Sequence, residues 1–541
     1  MTEVIMLCAC FLVVGGLDHV DPGAVPIFSD ATKSSGIDFV HSVGDDRMDT
    51  IVESSGAGVL VFDYNGDGWM DIYFLNGCYL NSVNHPKGRL LKGKLTNRLF
   101  HNKGDGTFVD VTNVSGLGDM GYGMSGVAGD IDRDGDIDLF LTNYGPNKLY
   151  INQGDGTFLE IAESLGLDDG HWGIGCSLFD FNSDGHLDLY AGNYLKYDPN
   201  YKMVYPADVF PGPLSYPGVP DKLYMGIGGG RFKDVSSTSG VAGLAGRTMG
   251  VTAIDFDGDG DIDVFAANDG MENHLLLNQG DGTFENQAML AGVAFGQNGE
   301  ATSAMGPEVG DFDRDGDLDL LVPDMLYGCL YRNEGKGFFT EQGANVGMAP
   351  ALGQYVSWSG NFLDANHDGF LDVFISNGNA HRMEPEEDLL FLNLGGTKMV
   401  DVSNHCGSAF QEKGLSRGSA LIDFDNDGDL DIVEVQLNGP ARLLRNDLKD
   451  AKTWVQFRLI GTSSNTDGYG TMVKITADGL SQIQQLRSSS GYLSQSDPRL
   501  HFGLNGVRQI QRVEVMWPSG KVQVLEKLAV NRLHLIREPE S

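Results

Sequence analysis

The chain has 541 residues, and its 75 Asp and Glu outnumber 37 Lys and Arg, for a formal net charge of −38. Nucleic acid and anionic membrane are polyanions, so this balance argues against both as general partners and fits cation binding better. The 75 glycines favour tight turns over long helices.

The first feature along the chain is an apolar run, Val4 to Val14, followed by Gly15-Gly16. It is too short to span a bilayer. It is read as the core of an export signal over residues 1–20, although Glu3 stands where a basic residue is expected. Of the six cysteines, two lie in this run. The other four (Cys78, Cys176, Cys329 and Cys406) are far apart and allow three disulfide pairings or none.

From residue 63 one pattern, D-x-[DN]-x-D-G-x-x-D, occurs seven times. The first copy places oxygen ligands at Asp63, Asn65, Asp67 and Asp71, the second at Asp130, Asp132, Asp134 and Asp138. The third has Asp180, Asn182, Asp184 and Asp188; the fourth has Asp255, Asp257, Asp259 and Asp263. The fifth has Asp311, Asp313, Asp315 and Asp319, and the sixth Asp364, Asn366, Asp368 and Asp372. The seventh has Asp423, Asp425, Asp427 and Asp431. First positions are 67, 50, 75, 56, 53 and 59 residues apart. A unit of about 50 residues with variable insertions is the mark of a repeat fold.

Each motif leads into a short apolar strand, such as Leu139-Phe140-Leu141. Thirteen residues after the first Asp, six copies carry Asn or Asp (Asn76, Asn143, Asn193, Asn268, Asp324, Asn377), read as turn closures. A second strand pair follows around an Asp-Gly hairpin, as in Leu99 to Phe108. Four strands per unit, a to d, repeated seven times make a seven-bladed β-propeller over residues 26–447. Unit seven has no strand d of its own. Phe28 to Thr32 echoes Phe108 to Thr112 and is expected to supply it.

Every ligand position carries oxygen, with Gly at position six for the sharp turn. That donor set suits calcium, at up to seven structural sites. The seven loops hold 29 Asp, whose mutual repulsion would oppose folding without cations. Glu434 gives the seventh copy an EF-hand spacing. The flank Asp431 to Val435 is β-rich, so position nine, Asp431, is the expected ligand instead.

The longest insertions lie between strands b and c: residues 77–96, 194–220 and 378–387. Strand alternation puts them on one face, opposite the metal hairpins. The first carries Lys87, Arg89, Lys92 and Lys94. The second carries Tyr194, Tyr197, Tyr201, Tyr205, Phe210 and Tyr216, suited to stacking on sugars or gripping a protein. The third, with Asp388 just after it, holds His381, Glu384, Glu386 and Glu387, read as a solvated charged loop, with an acid–base pair or a further metal site as the alternatives.

After Asp447 the charge changes sign, with 11 Lys and Arg against 7 Asp and Glu from Lys452 to the end. Alternation such as Val455 to Leu459 predicts a small β-sandwich-like domain over 452–541. There is no P-loop, G-x-S-x-G or H-E-x-x-H.

The seven loops resemble the FG-GAP/VCBS repeats of integrin α-subunit propellers. The tail resembles an ASPIC/UnbV domain through Gly491 to Asp497, Leu500 to Leu504 and Trp517-Pro518-Ser519-Gly520. Gly468-Tyr469-Gly470-Thr471 departs from the Ile-Gly-Ala-Arg-like segment usual there. Together they resemble the cartilage acidic protein family and its bacterial relatives. The resemblance implies a calcium-binding propeller that is secreted, extracellular or at the cell surface, or periplasmic. The expected activity is non-enzymatic binding of a protein or carbohydrate ligand. The alternative is an enzyme acting on polysaccharide or another polymer. No nucleic-acid partner and no transmembrane span are expected.

Overall fold

The computed structural model describes residues 25–201, 210–325, 328–448 and 452–540. The N-terminal apolar run and Tyr205 lie outside these residues. Among the described residues no helix is long and apolar enough to cross a membrane.

Seven antiparallel blades of four strands follow one another along the chain, the fourth with a short extra strand, Thr302–Ser303, paired to its second strand. Blade one is Val59–Phe62, Asp71–Phe74, Arg98–Asn102 and Phe108–Asp110. Blades two to six repeat the order a-b-c-d. Blade seven takes Ser416–Ile422, Asp431–Gln436 and Arg442–Asn446 from the end of the repeats, and Phe28–Asp30 as its outer strand. Phe28 pairs with Asn446 and Asp30 with Leu444. The Phe28 ring is buried 5.5 Å from Phe410. First and last strands therefore share one sheet, which closes the ring and leaves no open blade edge there.

The turn closures act as the sequence predicts. The amide of Asn76 donates to Thr96 O at 3.1 Å, and that of Asn377 to Glu387 O at 2.8 Å, tying off the b–c insertions. Neighbouring blades are joined by a residue that the motif reading did not single out, the Asn that ends strand c. The Asn102 amide reaches Phe424 O in the blade-seven loop, Asn152 reaches Tyr64 O, and Asn393 reaches Phe312 O. Blade three has Gly226 at this place.

The C-terminal residues form two facing sheets. One contains Leu500–Gly503, Trp454–Ile460 and Leu533–Arg537; the other contains Leu480–Gln485, Met472–Ala477, Gln509–Met516 and Val522–Ala529. Their apolar faces meet in a core with Phe457, Ile475, Val513 and Trp517. That core is continuous with Phe140, Leu149 and Leu178 of blades two and three. The sandwich sits on the face that carries the Asp-rich hairpins.

From the sandwich a loop, residues 487–499, enters the centre of the ring. Gln495 bridges to Leu60 in parallel β pairing. Its side chain accepts from Ala128 N at 2.7 Å. Ser488 Oγ accepts from Leu178 N, Ser359 Oγ from Tyr492 N, and Leu421 O from Asp497 N. The loop fits because glycine leads into the innermost strands. A Cβ on Gly58 would stand 2.0 Å from Leu493 O, and one on Gly306 2.1 Å from Tyr492 N.

Candidate functional site: acidic hairpins and the opposite face

Each Asp-rich hairpin has the same backbone. Gly at position six has φ between 84° and 99° in all seven loops, from Gly185 to Gly135, Gly260 and the others. Position four is also left-handed, filled by Gly66, Arg133, Ser183, Gly258, Arg314, His367 and Asn426. Asp at position one accepts from at least two backbone amides of its own loop in five of the hairpins, whereas Asp311 and Asp423 accept from one each, Gly316 N and Gly428 N. In the second loop, Asp134 N and Gly135 N each donate to Asp130 at 3.0 Å.

Asp at position nine is fully buried and serves the scaffold as well. Asp138 accepts from Ile131 N at 3.0 Å and from Asn152 N at 2.8 Å, and so locks the hairpin to strand c. Asp71, Asp188, Asp263, Asp319, Asp372 and Asp431 repeat that pair of bonds. Burial pushes the carboxyls of Asp138 and Asp263 up to about 8 and that of Asp319 to about 9.

Four loops bring three carboxylates within 4.8 Å of one another: Asp130, Asp132 and Asp138; Asp255, Asp257 and Asp259; Asp311, Asp313 and Asp315; Asp423, Asp425 and Asp431. The three loops with Asn at position three differ. The Asn65 amide donates to Asp67 at 3.0 Å, and Asn182 to Asp184 at 3.0 Å. The residues fit a hard cation on a further observation. Asp311 Oδ1, Asp423 Oδ1 and Asp425 Oδ1 are buried without a hydrogen-bond partner, and an unpaired buried carboxylate oxygen is costly unless something positive meets it. Glu434 turns away from its loop and pairs with Arg442 at 2.5 Å.

Position four has a role that spacing did not reveal. Arg133 donates to Gly185 O of the next loop and to Thr462 O of the sandwich. Arg314 donates to Gly369 O at 2.7 Å and lies 3.8 Å over the Phe370 ring. The sandwich also meets position one directly. Arg458 pairs with Asp63 at 3.4 Å, the Gln456 amide donates to Asp423 Oδ2 at 2.9 Å, and Asp467 accepts from Asp130 N at 2.8 Å. Hairpins and sandwich thus form one charged interface.

On the far face the three insertions converge. Cys78 and Val83 of the first, Tyr194, Phe210 and Tyr216 of the second and Ala380 of the third share one apolar cluster with Tyr492 and Leu493 of the axial loop. Phe210 stacks on His381 at 5.4 Å. This corrects one expectation and removes one alternative. The rings of Tyr194, Phe210 and Tyr216 are buried in the cluster, not offered to a ligand; Tyr194 donates to Asp269 at 2.5 Å. The acids after His381 do not gather on it. Asp388 pairs with Arg442, Glu387 with Lys413, Glu384 with Arg382, and Glu386 accepts from Val356 N.

Fold and site define the class: a closed β-propeller with acidic metal-type hairpins, capped and threaded by a β-sandwich. The FG-GAP-like repeat model matches residues 63–141, 130–191, 214–266, 255–322 and 364–434, and the ASPIC and UnbV model matches 461–541. The chain belongs to this family of FG-GAP-repeat proteins with an ASPIC/UnbV domain. It is similar to cartilage acidic protein 1 of Homo sapiens, 27% identical over 302 residues, 54% of this chain and 44% of that one. With the Xenopus tropicalis protein the identity is 29% over 272 residues, 48% and 40% of the two chains. The matched region spans less than half the length of these relatives. Among solved structures, an Agrocybe aegerita lectin recognising non-reducing terminal N-acetylglucosamine aligns with a TM-score of 0.40 at 16% identity, covering 71% of this chain and 86% of that one. The BP39L lectin of Burkholderia pseudomallei aligns at 0.41 and 9%, covering 73% and 97%.

Proposed function

We propose that this chain is an extracellular calcium-binding propeller that binds a protein or glycan partner through the insertions, with calcium in a structural role. The observation that carries the reading is the division of the molecule into two faces. Oxygen-only hairpins and the sandwich occupy one, and the three insertions meet on the other. Calcium would be held by the Asp at positions one, three and five or nine, and would supply positive charge where carboxylates crowd. Hairpins partly open to water suit a cation abundant outside cells. The relatives' name, cartilage acidic protein, fits that location and the −38 charge.

Catalysis forms no part of this reading, because the carboxylates near His381 already have partners of their own. The test is a glycan and matrix-protein array probed with calcium and with chelator. Calcium-dependent capture of a defined class is expected. Capture of nothing, or steady turnover of a polysaccharide, would overturn the reading.

A further inference from the structure

The blade-one insertion differs from the rest of the surface. Lys87, Arg89, Lys92 and Lys94 are all exposed, and none of them has a carboxylate within ion-pair distance among the described residues. About half of the other described cations pair with a carboxylate, as Arg98 with Asp38 and Asp110, Lys222 with Asp234 and Arg332 with Glu334, whereas here four cations close together along the chain do not. Four uncompensated cations in eight residues, on a chain of net charge −38, mark a local reversal of potential.

The island is also held in shape. Pro86–Leu91 is a 3-10 turn, with Pro at its start and His85 as its cap. His85 N donates to Asp45 Oδ2 at 2.6 Å. The Asn84 amide donates to Val43 O at 2.7 Å and to Glu53 Oε1 at 2.9 Å. Gly88 is packed so closely that a Cβ there would lie 2.2 Å from Gly44 O. The buried side of the loop is anchored while its cations project outward, so little ordering remains to be done on binding. Beside them Leu90 is 78% exposed.

We propose that residues 87–94 form a binding site for a sulfated or carboxylated polysaccharide. This rests on the reading of the insertions as the partner-binding face. The six residues Pro86–Leu91 at the 3-10 rise of about 2 Å span roughly 12 Å, and Lys92 to Lys94 turn at its end. A single flexible polyanion can lie on an island that small. A DNA duplex or a membrane surface extends well past it, into the acidic surround, with a Debye length of about 8 Å at physiological salt. The island carries no aromatic ring for stacking bases, and one leucine is a poor membrane anchor.

The experiment uses the full chain on immobilised heparin, desulfated heparin, dextran, double-stranded DNA and phosphatidylserine vesicles, beside the neutral glycans and matrix proteins of the array. Expected are capture by heparin that weakens as salt rises, and at least a tenfold loss in the Lys87→Ser/Arg89→Ser/Lys92→Ser/Lys94→Ser variant with an unchanged melting temperature. Heparin binding that survives in the variant overturns the proposal. So does equal or tighter binding to DNA or vesicles. Capture of a neutral glycan or protein, with no heparin binding, overturns this proposal and leaves the broader reading standing. Capture of nothing overturns both.

Discussion

The hydroxyl of Tyr492, on a loop of the C-terminal sandwich, donates to the carbonyl of Ser55 at 2.7 Å, deep in the centre of the propeller. Tyr492 is fully buried, with Trp358 5.1 Å away. Arg417 lies 3.9 Å over the other partner of that contact, the Trp358 ring. The sandwich is therefore part of the propeller's core.

Tyr492→Ala should destabilise the whole protein by about 3–5 kcal/mol, the usual range for emptying a buried aromatic site. Tyr492→Phe should cost about 1 kcal/mol, for one lost hydrogen bond. Chemical denaturation followed by fluorescence reads both. A propeller ending at Asp447 that melts at the full-length temperature would contradict the account.

Ring closure by Phe28–Asp30 makes a second prediction. Deletion through Ser35 removes the outer strand of blade seven and uncovers Arg442–Asn446 as a sheet edge. That variant should melt lower and aggregate, whereas deletion of the first 20 residues should leave the melt unchanged. Size-exclusion chromatography with a thermal melt compares them; equal behaviour would rule closure out.

Arg442 is the one cation in a buried trio, 2.5 Å from both Asp388 and Glu434. Arg442→Met strands two buried carboxylates and should cost about 3–5 kcal/mol. Burial already holds the Asp388 carboxyl well above its usual range. An acid raised in the folded state favours folding when protonated and loses that contribution as pH rises through its folded pKa. The variant's deficit should thus shrink toward pH 5 and grow toward pH 8. A deficit that deepens on acidification would refute the assignment.

Cys78, Cys176, Cys329 and Cys406 are unbridged and buried. Burial pushes the Cys78 thiol up to about 11 and Cys176 to about 12. All four should resist a thiol reagent at pH 8 in the native protein and react on unfolding. Rapid native labelling at these positions, located by peptide mass, would count against the packing.

Much of this architecture was legible because it repeats. One Asp-rich hairpin is weak evidence, but seven in register, with Asn76 and its equivalents at a fixed offset, define blades and strand order. The spare strand at Phe28 could be read for the same reason. What could not be read depends on contacts between distant parts of the chain. Nothing local marks Gly58 or Gly306 as the walls of a filled axis, because the loop they admit lies more than 180 residues away. Arg133 and Arg314 look like solvated loop residues until the next blade is placed beside them. The tyrosines of the blade-three insertion read as a presented surface, since composition does not tell whether a ring faces out or into its own cluster. Asn102 and its equivalents had a visible signal, an Asn ending strand c in six units, that was read only as part of a hairpin.

On the function proposed above, the hairpins hold calcium and calcium stabilises this fold. A thermal melt of the full chain in calcium, against the same chain in excess chelator, tests it most directly. A ligand that binds only the folded state adds about 2.7 kcal/mol per site at one hundred times its dissociation constant. Several loops acting together should therefore raise the melting temperature by many degrees, with smaller shifts in Asp311→Asn and Asp423→Asn. Superimposable melts with and without calcium would contradict the account.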